Sequence, residues 1–284
     1  MAVFERKKNA KNKKQSSAAG KAGADSTRLW VIESHAGASV GKVRKQNEDA
    51  VFAMHARILT PGLQAAYGLF IVADGMGGHE NGELASSTAV AAAVHEVQQQ
   101  LFGRLEQSTS LPSAQEVESV LKSAAQAAQE AVLKSVPGGG TTLSAALAIN
   151  NLIFFAHVGD SRIYLYTPQT GLEVLTKDHS VVRRLVDLGQ ISAEEAQSNP
   201  LRNQLFRAVG QSAGFQADLG SLELKEPCTL LLCSDGLWGL VPEETLLKTL
   251  ERGQSAQTSA ESLLNAANKA GGSDNISVIV VKIS

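Results

Sequence analysis

Only two cysteines occur in 284 residues, Cys228 and Cys233, which excludes a disulfide framework as the basis of the fold. They stand five apart around one apolar run. On an extended strand an odd separation sends side chains to opposite faces, so the pair is not expected to bridge. This reads as a reducing, cytoplasmic setting. No run of 18 apolar residues is present, which excludes a membrane-spanning helix, and no apolar segment follows the charged N-terminus, so no secretory signal is read. Internal repeats are lacking. So is any His/Cys cluster, which argues against zinc and copper. The glycines of GGGTT (138–142) come without the lysine of a phosphate-binding P-loop and read as a turn into a strand.

What is present is unevenly spread. In the first 28 residues eight Lys and Arg face only Glu5 and Asp25, a net +6, so the overall −2 leaves −8 for the rest. That basic segment holds almost no large apolar residue and is expected to be a disordered tail, with residues 29–284 forming the folded domain. An acidic body does not suggest a nucleic-acid partner.

From Leu29 onward, short β-rich runs alternate with turns. Strands are expected at Leu29–Ser34, Asp49–Met54, Ala66–Ala73, Thr142–Ile149, Leu152–Val158, Arg162–Tyr166, Leu172–Leu175, Phe215–Glu223, Thr229–Ser234 and Asn275–Ile283. Asn150–Asn151 reads as a hairpin turn. Helical spacing of apolar residues marks Gly82–Leu101, Ser113–Ser135, Glu243–Glu251 and Ala256–Lys269. Strands in succession with helices in pairs argue for an α+β fold of antiparallel sheets covered by helices. The polar, helix-prone stretch at about 178–210 reads as a small flap beside a site.

Five aspartates lie where apolar strands end, next to Gly, Ser or Asn: Asp49, Asp74, Asp160, Asp235 and Asp274. One such residue is ordinarily a turn or cap. Five gathered carboxylates would repel one another unless a multivalent cation neutralised them, and oxygen ligands alone favour Mg²⁺ or Mn²⁺. Gly75, without a Cβ, allows its carbonyl close to a cation. Two cations about 4 Å apart can share a water, lower its pKa and present hydroxide to a phosphorus atom. Arg44, five residues before Asp49, is a candidate fork for phosphoryl oxygens, against the alternative of an ordinary surface arginine.

The ordered series VRKQNED (43–49), VADGMGGHENGELAS (72–86), GGTTLSAAL (139–147), HVGDSRIYL (157–165), TKDHSVV (176–182), LRNQLFRAVG (201–210), CSDGLW (233–238) and GGSDNISVIVV (271–281) resembles the protein phosphatase 2C family in its compact bacterial form. The resemblance runs from about residue 30 to the C-terminus. It implies a four-layer α-β-β-α sandwich and hydrolysis of phosphoserine and phosphothreonine in proteins, opposing a Ser/Thr kinase, by a monomeric enzyme. It also implies two Mn²⁺ or Mg²⁺ ions on Asp49, Asp74, the Gly75 carbonyl, Asp235 and Asp274, with Arg44 gripping the phosphate. Asp160 with Asp235 would hold a third ion, Glu48 would act through a coordinated water, and Asn275 would support the Asp274 loop. Met76 stands where eukaryotic relatives carry a histidine after the Asp-Gly pair. His79 is then a candidate general acid, against the alternatives of a turn-holding histidine and a water as donor. His157 and Trp238 read as packing residues, and His179 as an organiser of the flap's start. A binding module that has lost turnover is the competing reading.

Overall fold

In the computed structural model, residues 29–77, 80–105, 107–211 and 215–284 are described. The expected tail at 1–28 and His79 lie outside the described residues. Eleven strands among the described residues form two sheets. One has the order β1 (Ile32–Ser39), β11 (Ile276–Ile283), β10 (Cys228–Cys233), β7 (Arg162–Thr167), β8 (Gly171–Val174). The other runs β2 (Asp49–Leu59), β3 (Gln64–Met76), β5 (Leu143–Ile149), β6 (Leu152–Val158), β9 (Asp218–Glu223), with the two-residue β4 (Gly140–Thr141) paired to the end of β3. Every pairing between these strands is antiparallel.

Three apolar clusters fill the spaces between four layers. Leu69, Ile71, Leu147 and Phe154 of the second sheet pack against α1 (Glu80–Val97) and α3 (Ala114–Ser135). Phe70, Val72, Ile153, Ile163, Leu230 and Ile279 meet between the sheets. Leu231, Val278 and Val280 pack beneath α7 (Glu243–Glu251) and α8 (Ala256–Lys269) through Leu246, Leu250 and Leu263. The α+β four-layer α-β-β-α sandwich is thus the fold. Each central strand is covered on both faces, which is why β5 and β10 are buried at every position instead of alternating apolar and polar. Cys228 belongs to the middle layer and Cys233 to the outer one, on opposite faces of β10, and both are free thiols.

Strand lengths depart from the sequence reading where pairing overrides local composition. Strand β1 starts at Ile32 and continues through Gly37 and Ala38 because it pairs along the whole of β11. Strand β2 runs on to Leu59 along the long β3, whereas β9 starts at Asp218 and not at Phe215. Asn150 adopts φ 51°, the left-handed conformation a tight hairpin demands, and its side chain accepts from the Ala66 amide at 2.9 Å. The helix expected at Gly82–Leu101 ends at Val97, passes through a π turn at Gln98–Phe102 and closes in α2 (Gly103–Leu105). Ser113 and Glu116 form a capping box that starts α3.

The stretch at 178–210 carries two short helices, α4 (Val181–Asp187) and α5 (Ala193–Ser198), capped by Ser180 and Ser192. At its start Asp178 receives both Nε (3.0 Å) and Nη2 (2.7 Å) of Arg162 from β7, and the guanidinium lies 3.7 Å from the Trp238 ring centroid. This pair is largely enclosed, with 23% and 9% side-chain exposure, so removing one charge strands the other. Asp178→Asn is expected to lower unfolding stability by about 1.5–3 kcal/mol, the usual worth of hydrogen bonds to a charged group. Urea denaturation measures this directly, and an unshifted midpoint would show that the pair anchors nothing.

Candidate active site

The antiparallel topology brings the five aspartates to one end of the sandwich. Strand β2 begins there and β3 finishes there, with Asp49 directly opposite Asp74. The chain crosses from the second sheet to the first between β6 and β7, carrying Asp160. Asp235 opens the one-turn helix α6 (Asp235–Trp238) after β10, and Asp274 sits in the turn that leads into β11. The crossing from β1 to β2 brings Arg44 and Glu48 to the same place. A cleft of about 250 Å³ is lined by Arg44, Glu48, Asp74, Gly75, Asp160, Asp235, Asp274 and Asn275, with Asn203 and Leu205 from the 178–210 segment. Asp49 lies behind this lining, against Asp74.

Backbone clamps hold these carboxylates, and the sequence reading missed most of them. The Asp74 amide donates to Thr142 Oγ1 at 2.8 Å, while its carbonyl accepts from the Thr142 amide and Thr141 Oγ1, both at 2.9 Å. The GGGTT segment therefore fixes Asp74 as well as turning the chain. From Thr142 Oγ1 a buried polar chain continues to Ser161 Oγ at 2.7 Å. Ser144 Oγ donates to the Ser161 carbonyl at 2.9 Å and also meets His157 Nδ1 at 2.9 Å. His157 is accordingly part of a polar network and not simply packing; burial holds its pKa down at about 4, so the ring is neutral. His179 accepts from the Gly159 amide and meets Asp218, which also pairs with Arg207, so it ties the turn before Asp160 to β9. Trp238 Nε1 donates to the Asp160 carbonyl at 3.0 Å, a second role beyond packing.

Asn275 does more than brace its neighbour. Its Nδ2 donates to the carbonyls of Val40 (3.1 Å) and Gln46 (2.9 Å), and its Oδ1 accepts from the Glu48 amide (2.9 Å). The loop bearing Arg44 is thereby fastened to the start of β11. Gly75 packs so closely that a Cβ there would overlap the Gly82 carbonyl oxygen, and its amide donates to the Glu48 carbonyl at 3.1 Å. Gly236 is equally confined, against the Asn275 carbonyl.

Burial raises the pKa of Asp74 well above the carboxylate range, reinforced by Asp49 and Asp235. The same cause lifts Asp49 to about 7 and Asp160 to about 8, and Asp235 to about 6. Asp49 Oδ2 accepts from Ser234 Oγ at 2.8 Å, but among the described residues its buried Oδ1 meets no donor in hydrogen-bonding geometry, although Ser277 lies near enough to ease its charge. Arg44 donates Nη2 to Asp274 at 2.8 Å across a half-exposed surface, which raises its own pKa.

An orphaned buried carboxylate oxygen beside an all-oxygen donor set suits hard divalent cations. Among the described residues no three acidic side chains close into a compact cage by themselves. Mg²⁺ and Mn²⁺ do not require one, because such ions keep several waters, and carboxylates spaced around a polar cleft suit them.

The protein phosphatase 2C profile matches residues 36–277. The serine/threonine phosphatase Stp of Listeria welshimeri is 36% identical over 248 residues, covering 85% of this chain and 92% of its own. The crystal structure of the Mycobacterium tuberculosis serine/threonine phosphatase PstP/Ppp superposes with a TM-score of 0.73 at 35% identity, covering 88% of this chain and 97% of that one. A structure of the PstP catalytic domain in complex with two manganese ions gives a TM-score of 0.73 at 33% identity, over 89% and 99% of the two chains. With its fold, its gathered carboxylates and this extent of similarity, the chain belongs to the protein phosphatase 2C family of serine/threonine phosphatases.

Proposed function

We propose that the cleft hydrolyses phosphoserine and phosphothreonine in proteins with two divalent cations, Mn²⁺ or Mg²⁺, reversing the action of a cognate Ser/Thr kinase in the cytoplasm. The enzyme would act as a monomer. The observation that carries this reading is the convergence of carboxylates from β2, β3, α6 and the turn before β11 on one cleft, with Asp49 Oδ1 buried and, among the described residues, without a hydrogen-bond donor. Asp49, Asp74, Asp235, Asp274 and the Gly75 carbonyl would hold the two ions, Glu48 would contribute through a water, and Asp160 with Asp235 would hold a third. Bound there, divalent cations neutralise the cluster and lower the pKa of a water enough to make it a nucleophile at neutral pH.

The protein's own groups supply orientation. Arg44 engages Asp274 through one nitrogen only, which leaves N–H donors for phosphoryl oxygens entering the cleft. Thr141 and Thr142 fix the Asp74 backbone, and Asn275 fixes the Arg44 loop, so phosphate meets a site that needs little rearrangement. His79 stays the candidate donor of a proton to the departing alkoxide. Among the described residues no helix is long and apolar enough to cross a membrane.

Asp235→Asn removes a negative ligand while keeping the side-chain shape. Its Mn²⁺-dependent hydrolysis of a small aryl phosphate is expected to fall by more than the about 100-fold typical of losing an outer-shell partner. Thermal unfolding should stay cooperative. Retained activity would remove Asp235 from the site, and an inert wild-type protein would overturn the hydrolytic reading.

A second expectation follows from proton linkage. Carboxyls whose folded pKa is raised keep protons that the unfolded chain has already lost, so without divalent ions their contribution to stability falls as pH rises from about 4 to about 8. Cations compete with those protons. Mn²⁺ should therefore raise the melting temperature more at about pH 7.5 than at about pH 5, by differential scanning fluorimetry against a chelator control. Equal shifts at both would contradict the proposed ligand set.

A further inference from the structure

Beside the catalytic cleft lies a larger groove, about 770 Å³, between the helices of the 178–210 segment and the α6–α7 region. Its volume falls in the range of about 300–1,000 Å³ typical of ligand pockets. The two spaces are continuous at Asp160, Asn203 and Asp235, which border both. One wall comes from Val182 and Val186 of α4 and Ala196 of α5, and the other from Trp238, Leu240 and Leu246. The charged residues that border it are Arg162, Arg183 and Arg202 against Asp160, Asp178, Asp235 and Glu243, with Arg162 bound to Asp178 and Arg183 to Asp187. The apolar wall residues therefore stand among charges of both signs that nearly cancel. Asp160 and Asp235 at the junction are assigned to the cations, whereas the apolar side chains of α4, α5 and the Leu240–Leu246 wall are not.

The geometry points to a seat for the chain flanking the phosphorylated residue: the groove takes a bulky apolar side chain of the substrate protein, and so selects phosphosites with Leu, Ile, Met or Phe nearby. This rests on the hydrolytic reading of the cleft. A phosphoresidue whose phosphate reaches Arg44 and the aspartates must lead its own backbone out past the rim. An extended chain advances about 3.3 Å per residue, so a side chain only a few positions away reaches the groove at Asn203 and passes between α4 and Trp238. Apolar burial there would add affinity without touching the reacting atoms, so it would act on peptides and leave a small ester unaffected.

The test compares phosphothreonine peptides with alanine at every flanking position against the same peptides carrying a single Leu or Phe, with a small aryl phosphate reporting the cleft alone. Wild-type protein is expected to prefer one position's apolar substituent by about tenfold in kcat/KM, within the range one apolar group contributes to discrimination. Val186→Arg, which places a charge in the groove, and Ala196→Trp, which fills it, should each abolish that preference while aryl phosphate hydrolysis stays at the wild-type rate. A wild-type enzyme indifferent to the flanks, or a preference that survives both variants, would overturn the assignment while leaving the catalytic reading intact. Faster peptide hydrolysis after deletion of residues 1–28 would make the groove a seat for this chain's own N-terminus and overturn it too. A wild-type protein inert towards both probes would overturn the hydrolytic reading and this inference with it.

Discussion

Mutual repulsion among carboxylates is the constraint around which the active end of this protein is organised. Asp49 and Asp74 stand opposite each other on paired strands, an arrangement that is unfavourable for like charges, and Asp160, Asp235 and Asp274 add to it. Burial compounds the cost by disfavouring ionisation, and among the described residues that line the cleft Arg44 is the only cation. A fold assembled for stability alone would not place these groups together; under the proposed function, divalent cations would turn the same arrangement into a binding site.

Holding such a cluster requires rigidity from groups that are not themselves charged. Hydroxyls and amides do this work here: Thr141 and Thr142 bracket the Asp74 peptide, Ser234 engages Asp49, and Asn275 binds three backbone groups of the Arg44 loop. Glycines at 75 and 236 let adjacent backbones approach more closely than any side chain would allow. The two sheets contribute through topology, since strands that begin and end at one edge deliver residues distant in sequence to a single cleft.

Much of the architecture was legible in the sequence because it is written in local patterns. Short apolar runs located most strands, helical spacing gave α3, α7 and α8 within a residue or two, and the five-residue cysteine spacing correctly placed two thiols on opposite faces of β10. The strand-end contexts of the aspartates also carried over into a shared site. What could not be read were interactions between distant segments. Asn275 meets Glu48 across 227 positions and Ser234 meets Asp49 across 185, and no periodicity encodes either. The one-turn helix at Asp235 is too short to show a period, and His157 looked like core because its strand is apolar while its ring partners lie on neighbouring segments.

The proposed hydrolysis depends on two cations sitting among these carboxylates. Anomalous diffraction at the manganese edge from crystals of the full chain grown with Mn²⁺ locates such ions without reference to activity. Two strong peaks are predicted in the cleft, within coordination distance of the Asp49, Asp74, Asp235 and Asp274 side chains and the Gly75 carbonyl. Peaks confined to the protein surface, or a cleft without manganese under those conditions, would contradict it.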